Sequence, residues 1–321
     1  MHWQTPAFIG ATLLSWVLTK FVLAQLKNRA ILDCPNQRSS HKTPTPRGGG
    51  IAVITVVILC WAYPASQSPL LLAILAGAIL LALVSWLDDL RSLSIVIRLC
   101  VQFLAVGVTM AFLSNEGFLL QGHVPVWLDR LITFLVWVWF INLFNFMDGI
   151  DGIAAVETLV IACGLALLFA STALIGLDSW LPVALFSAAL GFLWWNWYPA
   201  KVFLGDVGSI PLGFLLGGLL IFTALKGFWV PALILPLYFL CDATMTLIRR
   251  SLKRQPIWQA HRQHFYQTAV QSGKTHAAVS TSVFLAGILL IAMSHWSLKE
   301  PWFALAIAFA IVAFLLRWMS R

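Results

Sequence analysis

Leu131-Ile-Thr-Phe-Leu-Val-Trp-Val-Trp-Phe-Ile141 runs without a charge into Asn142-Leu-Phe-Asn145-Phe-Met-Asp148-Gly149-Ile-Asp151-Gly152. The apolar part reads as the end of a bilayer-crossing helix, because a helix satisfies its own backbone where no water is present. Asn-x-x-Asn-x-x-Asp places Asn142, Asn145 and Asp148 on one helical face before Gly149 breaks it. Asp151 then falls near the start of the next helix. Oxygen-bearing side chains this close together, with glycines that let the backbone turn, are what a hard cation such as Mg²⁺ and a phosphate ligand require. Helix packing in lipid has no use for so many polar groups.

Working outward, the whole chain has the same character. Its 321 residues are 60% hydrophobic and 10% charged, with a mean hydropathy of +0.89, well beyond the usage of soluble domains. This composition implies an all-α polytopic membrane bundle and gives no sign of a nucleic-acid partner. Apolar stretches of spanning length lie near 5–26, 48–65, 69–87, 95–114, 128–147, 152–171, 179–198, 209–226, 228–248, 277–296 and 301–319, which predicts about eleven helices. The chain reads as a single domain, 1–321, with working loops near 27–50, 86–98, 142–152, 199–209 and 249–276. Cys34, Cys60, Cys100, Cys163 and Cys241 are scattered without a Cys-x-x-Cys pair, so neither a disulfide framework nor a zinc site is expected.

Charge distribution sets the orientation. Lys27, Arg29, Arg47, Arg91, Arg98, Lys201, Arg249 and Arg250 fall in one set of loops, whereas the other set holds Arg130, Lys226 and Lys299. The positive-inside rule then places the N-terminus outside, which is the periplasm for a bacterial inner membrane, and the C-terminus in the cytoplasm. Asp33, Asp88, Asp89, Asp148, Asp151 and Asp206 share the cytoplasmic side. Glu116, Asp129, Asp178 and Glu300 are expected outside as solvated charges.

Four further segments carry polar chemistry. His41-Lys42-Thr-Pro-Thr-Pro-Arg47-Gly48-Gly49-Gly50 is either a surface on which backbone N–H groups meet an anion or a basic loop with a hinge. The adjacent Asp88 and Asp89 repel unless a cation or a basic group lies between them, and otherwise form a solvated helix end. Phe203-Leu-Gly205-Asp206-Val-Gly208-Ser209 sets a carboxylate at a helix N-terminus, whose donors favour phosphate. His261-Arg262-Gln-His264-Phe-Tyr266 has the means to hold phosphate, stack on a base or bind a metal. Asp242, inside an apolar segment, is a functional candidate or the partner of a basic residue on a neighbouring helix. Trp194-Trp-Asn196-Trp-Tyr198 reads as an interfacial aromatic belt. Gly213, Gly217 and Gly218 read as close helix packing.

In this order, these motifs resemble those of the polyprenyl-phosphate N-acetylhexosamine-1-phosphate transferases of glycosyltransferase family 4. The short His261-Arg262-x-His264-x-Tyr266 form is most similar to the subgroup that initiates O-antigen synthesis, and the triple His of the peptidoglycan enzyme is absent. The resemblance implies that undecaprenyl phosphate attacks the β-phosphorus of a UDP-N-acetylhexosamine, giving a lipid-diphosphate-sugar and UMP. It implies Asn145 and Asp206 as ligands of Mg²⁺, for which Mn²⁺ is a substitute. Asp88 and Asp89 would position or deprotonate the lipid phosphate, and Asp148 and Asp151 would organise the site. His41, Lys42, Arg47, Asn142, His261, Arg262 and His264 would bind substrate. A phosphate monoester loses its second proton near neutral pH, so the expected route is direct displacement rather than an aspartyl-phosphate intermediate. A homodimer is compatible with this reading. The rival classes are a secondary transporter, whose midplane site and repeated halves are not evident, and an intramembrane prenyltransferase, whose paired Asp-x-x-x-Asp motifs are missing.

Overall fold

The computed structural model describes residues 4–35, 40, 41, 43–113, 116–172, 179–256 and 261–321. Lys42 and Asp178 lie outside them.

Helix α8 (Asp206–Leu225) is the axis of the molecule. From Val207 to Leu225 every residue is buried, as expected of a helix that is apolar all round. It packs on α3 (Pro69–Arg91) and α5 (Val126–Phe146), with α2 (Gly50–Ser66) and α6 (Ile153–Thr172) on its other sides. Gly213, Gly217 and Gly218 face α5, where the first meets Ile141 and Phe144 and the other two meet Trp137. The absence of side chains there lets the two helices approach closely. Trp137 is fully buried, yet its indole N–H donates to Phe214 O at 3.0 Å, so no polar group is stranded.

Around this core lie α1 (Gln4–Asn28), α4 (Ile95–Leu113) and α7 (Trp180–Asn196), followed later in the chain by α12 (His276–Trp296) and α13 (Pro301–Met319). Among the described residues eight helices are long and apolar enough to cross a membrane, and α2 and α7 are shorter apolar helices. The span expected at 228–248 is instead divided into α9 (Trp229–Ile234) and α10 (Leu237–Leu252). The break falls at Leu235-Pro236, because proline has no N–H to donate and its ring crowds the preceding turn. A short helix, α11 (Phe265–Gln271), occupies part of what reads as loop.

Two strands of two residues also depart from a purely helical expectation. β1 (Leu32–Asp33) pairs antiparallel with β2 (Thr45–Pro46), in the register Leu32 to Pro46 and Asp33 to Thr45. Arg47 forms a parallel bridge to Phe203, so the loop after α1 is stitched to the loop before α8. Asp129 corrects another expectation. It is fully buried, and its carboxylate accepts the N–H groups of Leu119 at 3.1 Å and Leu120 at 2.7 Å. Glu116 is paired with Lys226 at 2.7 Å.

Candidate active site

The N-terminal ends of α2 and α8 meet the C-terminal ends of α3 and α5, and the acidic motifs converge there. Gly50 and Gly208 touch so closely that a Cβ on Gly50 would collide with the Gly208 backbone. The approach brings Arg47, three residues before α2, onto Asp206, the first residue of α8.

An alternating ladder of charge results. Asp88 lies 2.9 Å from Arg98, which lies 3.5 Å from Asp206. Asp206 is 2.6 Å from Arg47, and Arg47 is 2.9 Å from Asp89. The adjacent carboxylates Asp88 and Asp89 thus point to different guanidinium groups, which removes their mutual repulsion. Burial disfavours the charge on Arg47, but Asp206, Asp89 and Asp33 outweigh it and hold the guanidinium protonated beyond its ordinary range. Asp88 also accepts from Leu93 N–H at 2.6 Å. Asp89 accepts the N–H groups of Asp206 at 3.4 Å and Val207 at 3.2 Å, and so caps α8.

These contacts correct two readings. The N-terminus of α8 does not offer its first donors to phosphate, because Asp89 takes them. Nor do the three glycines offer theirs: Gly48 and Gly49 donate to Phe203 O, and Gly50 donates to Leu204 O at 2.8 Å. Local sequence shows which N–H groups are unhindered but not which carbonyl the fold brings to them.

A cavity of about 370 Å³ opens beside the ladder, lined among others by Asp33, His41, Arg47, Asn145, Asp148, Asp151, Asp206 and Gln267. His41 sits edge-on to Phe203, with ring centroids 4.8 Å apart. Asn145 Oδ1 accepts from the Ser209 hydroxyl at 2.6 Å, which turns this carboxamide toward α8. The Asp148 N–H donates to Asn145 O at 3.2 Å, but its carboxyl group has no hydrogen-bond partner among the described residues. Its surroundings are desolvated and it faces Asp206, Asp89 and Asp151, so its carboxyl is pushed up to about 7 despite Arg47.

Asp151 and Asn142 are placed differently from their expected roles. Asp151 Oδ2 accepts from Ala200 N–H at 2.9 Å, and Oδ1 lies 3.1 Å from His276 Nδ1. The same nitrogen is 3.4 Å from the Asp151 N–H. The carboxylate contact is shorter and a carboxylate only accepts, so Nδ1 is the donor. Asp151 O also accepts from Ser280 at 2.8 Å, so Asp151 reaches the cavity wall while tying the turn to α12. Asn142 is outside the cavity lining and donates to Gln102 at 2.7 Å, joining α5 to α4.

The 261–266 segment also departs from the expected binding loop. His264 is 3% exposed and packs inward against Asp242, while His261 stacks on it with centroids 4.9 Å apart. Neither residue lines the cavity, and nor does Arg262. Burial, then His264 and Arg250, lower His261 to about 4, so its ring is neutral at physiological pH. A larger cavity, about 640 Å³, is apolar. It is walled by Trp139, Leu220, Trp229 and Trp302, and no carboxylate or amine lines it among the described residues.

The motifs point to most of the carboxylates; they contain Ser209 and Tyr266 without giving either a role of its own, count Arg98 only as a charge of the basic loops and take Asn196 only as part of the aromatic belt. Asn196, among those aromatics, accepts from Gly152 N–H at 3.0 Å and donates to Val202 O at 3.0 Å. Its lone amide in an apolar run was the available signal. Tyr266 donates to Phe146 O at 2.9 Å, and its hydroxyl fills the space that a side chain at Gly149 would need.

The residues present fit a hard divalent ion. Among the described residues no cluster of three or more His, Cys, Asp or Glu could hold a metal unaided. Mg²⁺ does not need one, because it is held by one or two carboxylates, with substrate phosphates and water completing its shell. Asp148, its carboxyl group without a partner among the described residues and crowded by other carboxylates, is the observation that calls for a cation, with Asp206 and Asn145 on the same wall.

Residues 71–224 match the model of glycosyl transferase family 4. The chain is 29% identical over 322 residues to a probable undecaprenyl-phosphate N-acetylglucosaminyl 1-phosphate transferase of Bacillus subtilis (strain 168), covering 96% of this chain and 89% of that protein.

Proposed function

We propose that this chain, whose residues 71–224 match glycosyl transferase family 4, is a member of that family and transfers an N-acetylhexosamine-1-phosphate from a UDP-sugar to undecaprenyl phosphate. The reaction is placed at the cytoplasmic face of a bacterial inner membrane. A lipid phosphate oxygen bonds to the β-phosphorus of the donor, the bond from that phosphorus to the α-phosphate oxygen breaks, and UMP leaves. The lipid-diphosphate-sugar starts O-antigen or a related envelope polysaccharide. The observation that carries this reading is the polar cavity, in which Asn145, Asp148 and Asp206 set oxygen donors beside Arg47.

Asn145, Asp148 and Asp206 are the residues that would hold Mg²⁺. The bound ion would neutralise the charge that develops on the diphosphate as it breaks. The chain's own groups do the rest by position. Arg47 supplies positive charge for the donor phosphates. Asp88 is engaged by a guanidinium and one backbone N–H, and Asp89 by a guanidinium and two, which supports orientation rather than proton abstraction. A lipid phosphate that is largely dianionic near neutral pH needs no strong base.

The test is UMP release by purified protein given undecaprenyl phosphate, Mg²⁺ and a panel of UDP-sugars, with UDP-N-acetylglucosamine first because the Bacillus subtilis relative is named for N-acetylglucosaminyl 1-phosphate transfer. Release with one UDP-N-acetylhexosamine, lost on chelation, is expected; no release with any of them overturns the reading. Asp206→Ala and Asn145→Ala are expected to abolish turnover in folded protein, and normal activity in either would remove the metal assignment.

A further inference from the structure

Asp242 lies in α10 with no solvent exposure and lines no cavity described above, yet donors surround it. Oδ1 accepts from Phe265 N–H at 2.9 Å and lies 3.2 Å from His264 Nδ1 and 3.4 Å from the Thr246 hydroxyl. Oδ2 accepts from Tyr266 N–H at 3.1 Å and from the Tyr238 hydroxyl at 3.1 Å. Phe265 and Tyr266 are the first residues of α11, so this carboxylate closes that helix's N-terminus from a distant element. A buried carboxylate needs this many donors to stay ionised, and an amide of the same shape could not accept from all of them.

The arrangement decides the state of His264. An ionised carboxylate only accepts, so Nδ1 carries the proton, and in the neutral ring Nε2 is left as an acceptor. The ring is held between His261 and Tyr266, the latter with centroids 5.7 Å apart. From there the segment reaches the turn that bears Asp148. Tyr266 donates to Phe146 O and packs on Gly149, while Gln267, whose Oε1 accepts from His264 N–H at 3.3 Å, lines the cavity.

We propose that Asp242 is a positioning residue of the transferase, which holds His264 in one tautomer and seats Tyr266 and Gln267 against the Asp148 turn that receives the nucleotide-sugar. The proposal rests on the transferase reading for its consequence, but its geometry stands apart from it. Asp242 reaches no reacting atom. It acts through the segment it anchors.

Wild-type protein labelled with [¹⁵N]histidine in lipid nanodiscs is expected to show His264 protonated at Nδ1, and protonation at Nε2 alone would overturn the proposal without any variant. Asp242→Asn is expected to shift that signal and raise KM for UDP-N-acetylglucosamine about tenfold or more, with KM for undecaprenyl phosphate changed less than about twofold. An unchanged donor KM, or an equal rise for both substrates, counts against a positioning role. If Asp242→Asn does not fold, Tyr266→Phe carries the kinetic arm: it cuts the link to Phe146, and donor KM is expected to rise while His264 keeps its tautomer. A wild type that turns over no UDP-sugar defeats the transferase reading, whereas the tautomer measurement still decides the Asp242–His264 pair.

Discussion

Asp148 differs from the other carboxylates around the cavity because it has neighbours of its own sign and no hydrogen-bond donor among the described residues. Burial first, and Asp206 next, raise its carboxyl to about 7. With the folded value above the unfolded one, the proton stabilises the folded protein fully below about 3.8, and this contribution is lost as pH rises through about 7. A cation competing for the same oxygens meets the opposite dependence. Mg²⁺ affinity, read as thermal stabilisation by added MgCl₂, is expected to fall about tenfold per pH unit below about 7. Asp148→Asn is expected to flatten that dependence, and a wild-type profile already flat would remove Asp148 from the cation site.

At the scale of elements, the site depends on how closely helix ends approach. Gly50 at the start of α2 rests on Gly208 in the first turn of α8, and the obstacle to a side chain there is backbone, which cannot rotate away. Gly50→Ala is expected to destabilise by about 1–3 kcal/mol through overpacking, and to lower turnover as Arg47 and Asp206 move apart. Gly10 in α1 has nothing near its Cβ position, so Gly10→Ala is expected to leave stability unchanged or raise it by up to about 1 kcal/mol, the helix-propensity difference. Thermal unfolding in one detergent compares the two. Equal losses would show that the α2–α8 contact is not what constrains Gly50.

For the whole molecule, the proposed orientation puts the cavity in the cytoplasm, and a native cysteine reports on it. Cys34 is exposed next to β1, while Cys60, Cys100, Cys163 and Cys241 lie within helices. A membrane-impermeant maleimide is expected to label Cys34 in inside-out vesicles and to spare it in right-side-out ones, with Cys34→Ser as the blank. Labelling with the opposite sidedness would reverse the topology and place the cavity outside. The same bundle explains why the alternating charges are tolerated: α8, uncharged from Val207 to Leu225, delivers Asp206 at its first residue to the place where Arg47 and Arg98 stand.

Hydropathy at bilayer length was enough to establish a helical membrane bundle, because a backbone in lipid must satisfy itself and a helix does so locally. The spacing of Asn145 and Asp148, and the acids at Asp88, Asp89 and Asp206, were equally legible, since oxygen donors at helix ends are costly unless they meet a partner. What each donor meets was decided only by tertiary structure. The glycine N–H groups went to carbonyls near Phe203, and the α8 donors went to Asp89. Asp151 and His264 turned inward, and Pro236 divided a span that hydropathy reads as continuous. Those pairings join residues as far apart in the chain as Arg47 and Asp206 or Asp151 and Ser280. Periodicity along a single helix carries no information about which distant helix end will lie beside it, so the partners emerge only when the helices pack.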